Sequence, residues 1–205
     1  MITAGSTWVA LDRVRVISNV ASGQTGFILA NKFKKTGARV TLLLGPGNLR
    51  PHRLNGVKVV NFKYFAELEK KLKDELVIRK YAAVIHAAAV SDYQPEKVSK
   101  NKVSSQLKSW RVNLVPTRKL VDTLKDYDPG LVAVGFKFEP DAGKKSLMVE
   151  GNRLLKQADL DLVVSNSNKN QAYQAYILDV VHEYGPFLSK SAMATCLTRL
   201  VSMKI

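Results

Sequence analysis

The stretch A-A-V-I-H-A-A-A-V-S-D-Y occupies residues 82–93 and indicates the fold class of this chain. Its first nine residues, Ala82–Val90, are apolar at every position except His86. A strand with one solvated face alternates apolar and polar side chains, whereas a strand covered on both faces is apolar throughout. The stretch therefore predicts a strand buried on both faces of a parallel sheet.

Segments of the same kind recur along the chain and alternate with helical patterns. Short apolar runs predict further strands at Arg39–Leu44, Val57–Phe62, Leu131–Phe138 and Asp161–Ser165. Helical spacing of apolar residues predicts helices at Gly26–Thr36, Phe65–Leu76, Lys119–Leu124 and Lys144–Leu155. Towards the end, the pattern predicts a hairpin of Tyr176–Glu183 with Gly185–Leu188 and a final helix, Ser189–Met203. This order is typical of a doubly wound, Rossmann-like α/β fold with a mostly parallel sheet.

Length and composition restrict the class of protein further. The chain has 205 residues, 46% of them hydrophobic, which suits one domain over residues 1–205 with a sizeable core. The longest apolar run, Ala82–Val90, is far shorter than the roughly 20 residues that cross a bilayer. No leader pattern follows Met1, and Cys196 is the single cysteine, so no internal disulfide is expected. We therefore expect a cytoplasmic protein without a membrane partner.

The formal net charge of +15 predicts an anionic partner and leaves its kind open. A pI near 9.9 is typical of nucleic-acid-binding proteins, but positive charge also steers phosphorylated small molecules. Residues 1–66 contain ten Lys and Arg against one acid, Asp12, and residues 97–119 contain seven and no acid. No recognition helix or aromatic stacking platform is recognisable, so a basic nucleic-acid-binding protein on a Rossmann-like scaffold is the less favoured alternative.

Two turns after predicted strands are candidate phosphate sites. Ile2–Thr7 (I-T-A-G-S-T) is either an ordinary turn into a helix or a turn that accepts a phosphate. In Val16–Gly26 (V-I-S-N-V-A-S-G-Q-T-G), small residues precede a helix whose free N–H groups favour anions. Ser22 is equally well interpreted as an N-cap, whereas Asn19 has little structural role to explain it. Neither turn has the spacing G-x-G-x-x-G, which disfavours an NAD(P)-dependent oxidoreductase.

Polar residues beyond the buried strand form a third candidate. Asp92 either binds a ribose hydroxyl, a base amide or a metal, or caps a turn. His86 is interpreted as a satisfied core histidine. Residues 93–107 predict a polar loop of the kind that often serves as a lid, and Lys102 within it supplies a mobile positive charge suited to phosphates. The three histidines, His52, His86 and His182, are too scattered to indicate a metal site.

A series of motifs in the same order resembles the phosphopantothenate–cysteine ligase family. They are I-T-A-G-S-T (2–7), L-D-R-V-R-V-I-S-N-V-A-S-G-Q-T-G (11–26), A-A-A-V-S-D-Y (87–93), K-V-S-S (102–105), P-T-R-K-L-V (116–121), G-F-K-F-E (135–139) and D-L-V-V-S-N (161–166). The resemblance covers most of the chain and is weakest after about Asn168. The K-V-S-S and G-F-K variants look closer to the stand-alone bacterial form than to the form fused to a decarboxylase.

The resemblance implies a two-step ligation in coenzyme A biosynthesis. CTP, with Mg²⁺, activates the carboxylate of 4′-phosphopantothenate as an acyl-cytidylate and releases pyrophosphate. The amine of L-cysteine then attacks the acyl carbon and releases CMP. The resemblance also implies a homodimer, with a flap at about residues 93–107 and a dimerisation β-arm at about residues 108–115. Since the basic segments contain the phosphate turns and the flap, we expect their charge to serve a small-molecule phosphate site.

The resemblance also implies residue roles. Asn19 corresponds to the asparagine at the acyl intermediate, Lys102 to the flap lysine at the nucleotide phosphates, and Asp92 to the aspartate near the ribose and base. Lys156 is the best candidate for one member of a later lysine pair, with Arg153 in place of the other. The remaining expected positions are Arg118, Lys119, Leu120, Val121 and Phe136 around the cytidine, the backbone at Ala88 (nucleotide) and Ala89 (substrate), and Gly5, Thr7, Ser22 and Gly23 around phosphates.

Overall fold

The computed structural model describes residues 1–47, 54–169 and 172–205, so His52 lies outside the described residues. The elements in chain order are β1 (Ile2–Ala4), β2 (Trp8–Ala10), β3 (Val16–Ser18), α1 (Gln24–Lys35), β4 (Thr41–Leu44), β5 (Lys58–Asn61), α2 (Phe65–Ile78), β6 (Ala83–His86), β7 (Tyr93–Pro95), β8 (Leu114–Pro116), a 3₁₀ helix (Leu120–Thr123), β9 (Val132–Phe138), α3 (Lys144–Gln157), β10 (Leu162–Lys169), β11 (Ala172–Leu178), β12 (Glu183–Phe187) and α4 (Lys190–Ser202).

The central sheet is mostly parallel and has eight strands among the described residues, in the order β12-β11-β10-β9-β6-β1-β4-β5. The six strands from β10 to β5 pair in parallel, and β11 and β12 are added antiparallel to one edge. The chain runs outward from β1 to β5 and then returns to β6 on the other side of β1. This reversal creates a topological switch point between β1 and β6. The prediction of a doubly wound, Rossmann-like sheet is confirmed.

Helices cover both faces of the sheet. Side chains of α1 and α4 pack on one face, and those of α2, α3 and the 3₁₀ helix pack on the other. Gly26 lets α1 approach β1, because a Cβ at this position would lie 2.4 Å from the Ala4 Cβ. Within the described ranges, no helix is both long and apolar enough to cross a membrane.

Two local predictions are wrong. The strand predicted at Ala82–Val90 is regular only over Ala83–His86, where its pairing with β9 ends. Beyond His86 the Ala88 N–H bonds to the Thr3 hydroxyl (3.1 Å), while the Ala89 N–H still donates to the Gly5 carbonyl (2.8 Å). The helix predicted at Lys119–Leu124 is one 3₁₀ turn, in which the Thr123 hydroxyl donates to the Leu120 carbonyl (2.9 Å). Residues 110–113 of the predicted arm lie outside any strand, and β8 pairs with β7 of the same chain.

The antiparallel edge of the sheet, formed by β11 and β12, differs from the predicted hairpin in its strand bounds. The strand predicted at Tyr176–Glu183 ends at Leu178, because the Asp179 carboxylate accepts hydrogen bonds from the N–H groups of Val181 (2.8 Å) and His182 (2.6 Å) and closes a turn. The pairing of β11 with β12 follows the prediction, whereas the pairing of β11 with β10 was not foreseen. The small hairpin of β2 and β3 was also missed.

Candidate active site

A cleft of about 940 Å³ opens at the carboxyl ends of the central strands. Ligands of open α/β sheets bind at this edge, beside the switch point. Segments that are far apart in sequence meet there, because parallel strands end on the same side of the sheet. Most of the predicted site residues line the cleft: Gly5, Asn19, Ser22, Gly23, Ala88, Ala89, Asp92, Arg118, Lys119, Leu120, Val121 and Phe136.

Asn19 lies in the second of the two turns that were predicted to bind phosphates, and its side chain reaches the segment after β6. Its Nδ2 donates to the backbone carbonyls of Val90 (3.0 Å) and Ala89 (3.4 Å), which follow β6. Because both of these partners are acceptors, the amide must present its nitrogen to them. The Oδ1 atom is therefore the side of Asn19 that is left to accept a hydrogen bond.

The start of α1 supplies free N–H groups to the cleft. The first helical hydrogen bond runs from the Phe27 N–H to the Gly23 carbonyl (3.1 Å), so the N–H groups of Thr25 and Gly26 have no partner in the helix. The N-cap of α1 is Gly23, which offers no side chain as a cap, so Ser22 is not the N-cap as one interpretation held. The Ser22 hydroxyl, one residue earlier, accepts from the Gln24 N–H (3.3 Å). No acidic side chain occupies the first turn. This helix end therefore favours an anion.

Two residues of the turn after β1 were predicted to bind a phosphate, and of these Gly5 lies at the cleft and Thr7 in the core. Gly5 lines the cleft in the left-handed conformation (φ 81°), and a Cβ there would lie 2.6 Å from the Gly45 carbonyl oxygen. Thr7 is fully buried and does not line the cleft. Its hydroxyl lies 3.0 Å from the Ser91 hydroxyl and accepts from the Ser91 N–H (2.9 Å). Thr7 thus holds the segment that precedes Asp92.

Asp92 and the segment after β8 form one wall of the cleft. The Asp92 carboxylate pairs with Lys119, and the Asp92 carbonyl accepts from the Thr117 N–H (2.9 Å). Arg118 is exposed and lies 3.8 Å from Glu69 of α2. Asp92 is therefore held as an ion pair at the rim of the cleft.

Lys102 is exposed and lies outside the cleft lining. Its neighbour Val103 is fixed to the β2–β3 turn, since its N–H donates to Asp12 Oδ2 (3.0 Å) and its carbonyl accepts from Arg15 (3.1 Å). The Arg15 guanidinium also lies 5.3 Å from the centre of the Trp110 ring. No role was predicted for Asp12 or Arg15, although Asp12 is the one acid among the first 66 residues.

The protonation state of Asp12 suits a carboxylate that accepts hydrogen bonds and so fixes Val103 to the β2–β3 turn. Desolvation by burial works to raise the pKa of Asp12. The backbone N–H groups of Val14, Val103 and Arg15 and the charge of Arg15 outweigh it, and the net pKa lies below its ordinary value. The carboxylate is therefore charged at neutral pH and accepts all of these hydrogen bonds.

Helix α3 presents different residues to the cleft from those predicted. Lys156 is exposed and does not line the cleft, whereas Arg153 and Gln157 do. Arg153 and Gln157, four residues apart, are neighbours on one face of α3, and Lys156 is rotated by about 100° from Gln157 around the helix, on the side away from the cleft. Gln157 connects Arg153 of α3 with Asp122 of the 3₁₀ helix. Its side-chain oxygen accepts from Arg153 (3.4 Å), and its side-chain nitrogen donates to Asp122 (3.3 Å). Arg153, the predicted stand-in, is thus the cationic residue of α3 at the cleft.

The end of the cleft on the α1/α4 side was not predicted, because apart from Gln24 its residues lie at or after Asn168, where the sequence carries no recognisable motif. Lys190, the first residue of α4, lines this end and donates to the Gln24 side chain (2.9 Å). No carboxylate of the described residues lies within 4 Å of its amine. Tyr173 lies nearby, and burial raises its pKa above the ordinary value. We call this part, Gln24, Asn168, Tyr173 and Lys190, the basic end.

Residues 1–202 match the family of the DNA/pantothenate metabolism flavoprotein C-terminal domain. The chain belongs to this family. The coenzyme A biosynthesis bifunctional protein CoaBC of Thermococcus kodakarensis is 33% identical over 172 residues, which cover 82% of this chain and 41% of that protein. The chain thus spans less than half the length of this relative.

Solved structures share the fold of this family member. The DNA/pantothenate metabolism flavoprotein from Streptococcus pneumoniae has a TM-score of 0.89 at 21% identity, covering 100% of this chain and 98% of that one. A Cab2 variant in complex with phosphopantothenate-cysteine has a TM-score of 0.81 at 18% identity, covering 99% of this chain and 84% of that one.

The cleft of this family member is positively charged. Among the described residues, its lining contains the cations Arg118, Lys119, Lys137, Arg153 and Lys190 and the carboxylates Asp92 and Asp122. Of the basic residues of segment 1–66 that the structure describes, none lines the cleft, whereas five cations from residue 118 onward do. Lys32, Lys34 and Lys35, for example, lie in the last turn of α1, opposite its cleft end.

Proposed function

We propose that this chain is a cytoplasmic phosphopantothenate–cysteine ligase that uses CTP. The observation that carries the proposal is the placement of Asn19 over the Ala89 and Val90 carbonyls, beside the anion-favouring start of α1. A carboxylate, a phosphate and a nucleotide are the anionic groups that such a cleft suits. The names of the relatives support the proposal, since one is a coenzyme A biosynthesis protein and Cab2 was solved with phosphopantothenate-cysteine.

Asn19 acts in the second step of this proposal. Its nitrogen is occupied by the Val90 and Ala89 carbonyls, so the available Oδ1 accepts a hydrogen bond. The amine of L-cysteine is a donor, and Oδ1 would orient it towards the acyl carbon. Correct orientation of a nucleophile is worth several orders of magnitude in rate. Asn19 is therefore assigned to positioning cysteine against the acyl-cytidylate.

Cationic side chains act in the first step. Arg118 and Lys119 lie on the wall of the cleft where the nucleotide is expected, and Lys102 belongs to the flap. Positive charge stabilises the transferring phosphoryl group and the departing pyrophosphate. Lys102 lies outside the cleft lining, so its contact with the phosphates requires closure of the flap.

Magnesium fits the cleft as an ion carried by the nucleotide. No cluster of three metal-binding side chains is present in the described ranges. Mg²⁺ is typically held by one or two carboxylates together with substrate phosphates, and Asp92 and Asp122 are the two carboxylates of the described lining. When bound, the ion neutralises phosphate charge, while the protein residues orient the substrates.

We further propose that two copies of the chain form a homodimer. The hairpins β2–β3 and β7–β8 lie side by side, and both expose apolar side chains. Val14 is 62% exposed and Ile17 37%, as are Tyr93 (56%) and Leu114 (43%) on the second hairpin. Clusters of exposed apolar side chains often mark interfaces. The second copy would cover this surface, which we call the hairpin surface.

The reaction itself tests the proposed function. Purified protein is incubated with 4′-phosphopantothenate, L-cysteine, CTP and Mg²⁺, and CMP, pyrophosphate and the ligated product are measured by chromatography and mass spectrometry. CMP is expected only when both organic substrates are present, and pyrophosphate is expected without cysteine. Parallel reactions with ATP measure nucleotide preference. Absence of CMP and AMP in the complete mixtures would refute the ligase function.

A further inference from the structure

His86 is a buried side chain with one hydrogen-bond partner and one free ring nitrogen. It is 6% exposed and lines the cleft at the end of β6. Its Nδ1 lies 3.1 Å from the Thr3 hydroxyl on the neighbouring strand. Its Nε2 has no hydrogen-bond partner among the described residues. Among the described residues, the one fully enclosed side-chain nitrogen or oxygen without a hydrogen-bond partner is the Ser167 hydroxyl. The unpartnered Nε2 atom of His86 is therefore not fully enclosed, and it is open to the cleft that His86 lines.

The hydrogen bonds of Thr3 favour the tautomer of His86 that carries its proton on Nε2. The Thr3 hydroxyl accepts from the Ala88 N–H (3.1 Å) and has one proton to donate. Donation to His86 Nδ1 satisfies the hydroxyl and makes Nδ1 an acceptor. In a neutral imidazole the other nitrogen then carries the hydrogen. His86 thus presents an Nε2–H donor to the cleft.

His86 is neutral at physiological pH. Burial lowers its pKa to about 4. A neutral Nε2–H group can donate to a charged or to an uncharged acceptor. The cleft already holds charged donors for anionic groups, at Lys190, Arg118 and Lys119. His86 is therefore available to an uncharged acceptor, such as a ring nitrogen or a carbonyl oxygen.

The surroundings of His86 form an apolar slot, built from His86, Ala88, Leu120, Val121 and Leu154. In the β6–β9 register His86 lies directly beside Gly135. A Cβ at Gly135 would meet Val121 and Leu154, each at 3.5 Å, so these two side chains lie over the strand next to the imidazole. An aliphatic slot with one neutral donor suits a flat heteroaromatic ring.

We propose that the Nε2–H of His86 donates a hydrogen bond to an acceptor atom of the nucleotide's base and so contributes to nucleotide selection. The proposal rests on the proposed ligase function, since it requires a nucleotide in the cleft. Asp122 and Gln157 line the α3 side of the same cleft, where they can accept from an exocyclic amine. Cytosine and adenine both combine such an amine with neighbouring acceptors.

Substitution of His86 tests the proposal. His86→Leu is expected to raise the KM for CTP about tenfold, because one hydrogen bond to a desolvated group is lost, with kcat within about twofold because binding is lost equally in the ground and transition states. His86→Gln, whose amide nitrogen reaches a position similar to Nε2, is expected to stay within about threefold of wild type. The KM values for phosphopantothenate and cysteine are expected to be unchanged in both.

A purely structural role for His86 predicts a different result. An unchanged KM for CTP in His86→Leu, or an equal rise of all three KM values, would overturn the proposal. If His86→Leu does not fold, His86→Asn takes its place, because its shorter amide reaches Nδ1 and not Nε2. Loss of CTP affinity in the Asn variant and retention in the Gln variant support the proposal, and equal behaviour of the two refutes it.

Calorimetric titration with CTP, ATP, UTP and GTP separates this proposal from the ligase function. If wild type binds CTP but forms no CMP, the ligase function fails, and the CTP affinity of the variants still decides the role of His86. If wild type catalyses ligation and His86→Leu binds CTP normally, only the role of His86 fails. If no nucleotide binds to wild type, both are refuted.

Discussion

The Asp12 carboxylate accepts a hydrogen bond from the backbone N–H of Val103, 91 residues further along the chain, at 3.0 Å. The same carboxylate accepts from the N–H groups of Val14 and Arg15, each at 2.8 Å, and pairs with the Arg15 guanidinium at 3.1 Å. The side chain is fully buried, so one carboxylate joins the β2–β3 turn to the flap residue that follows Lys102.

Removal of the Asp12 carboxylate should release the flap. In Asp12→Ala, the Val103 N–H loses its partner, and the flap that contains Lys102 loses the anchor from which it closes over the cleft. We expect trypsin to cleave the flap about tenfold faster and kcat to fall at least about tenfold, since misplaced catalytic groups are costly. Limited proteolysis and steady-state kinetics measure the two effects. Asp74→Ala, which removes an exposed partner of Lys70, is the matched control, and equal cleavage rates in the two variants would contradict the prediction.

Loss of the Asn19 amide should block the second step more than the first. In Asn19→Ala, no Oδ1 remains to orient the cysteine amine, so CMP release is expected to fall about 100-fold while pyrophosphate release without cysteine persists. Rapid-quench measurement of both products tests this. Asn31→Ala is the control, because the Asn31 side chain donates to the Phe27 carbonyl within α1. Its removal should leave both steps intact. A normal rate of CMP release in Asn19→Ala would refute its assigned role.

Lys190 at the basic end should bind the phosphate of phosphopantothenate. Its amine has a neutral partner, Gln24, and a charge-assisted hydrogen bond to a phosphate is roughly twice as strong as a neutral one. Lys190→Gln is therefore expected to raise the KM for phosphopantothenate about tenfold and to leave the KM for CTP unchanged. Lys145→Gln on α3 is the control. A selective rise in the KM for CTP would instead place the nucleotide phosphates at this end.

The low pKa of His86 should make the free energy of unfolding depend on pH in the acidic range. The folded protein holds His86 neutral down to about pH 4, whereas the unfolded chain binds a proton below its ordinary pKa of about 6.5. The unfolded state therefore binds more protons between these values, and the free energy of unfolding falls as the pH falls from about 6.5 to 4. Relative to His86→Gln, wild type should lose roughly 3 kcal/mol over this range. Urea unfolding at a series of pH values measures the difference, and parallel curves for the two proteins would contradict it.

A charge on the hairpin surface should dissociate the proposed homodimer. Ile17→Lys places a cation where the second copy would bury an apolar side chain, and an unpaired buried charge opposes association strongly. Sedimentation analysis is expected to show a dimer for wild type and a 22.7 kDa monomer for the variant. Val77→Lys, at an exposed position of α2, should leave the dimer intact. A monomeric wild type would refute the dimer without affecting the fold.

The sequence by itself determined the sheet and most of the cleft lining. The apolar run at Ala82–Val90 predicted a parallel strand because a strand buried on both faces needs apolar side chains throughout. Parallel strands end at one edge, so residues after β1 and β6 had to meet. This is why Gly5 of one motif and Ala89 and Asp92 of another line the same cleft.

The tertiary structure alone decided which distant side chains contact one another. Hydrophobic periodicity shows which side of an element is buried, but it does not specify the partner of a polar group on a turn. The contact of Asp12 with Val103 depends on how the β2–β3 hairpin folds over the flap. The rotation of α3 brings Arg153 rather than Lys156 to the cleft, and the antiparallel edge together with α4 brings Lys190 there. Such contacts arise from packing across the whole sheet, which no local pattern records.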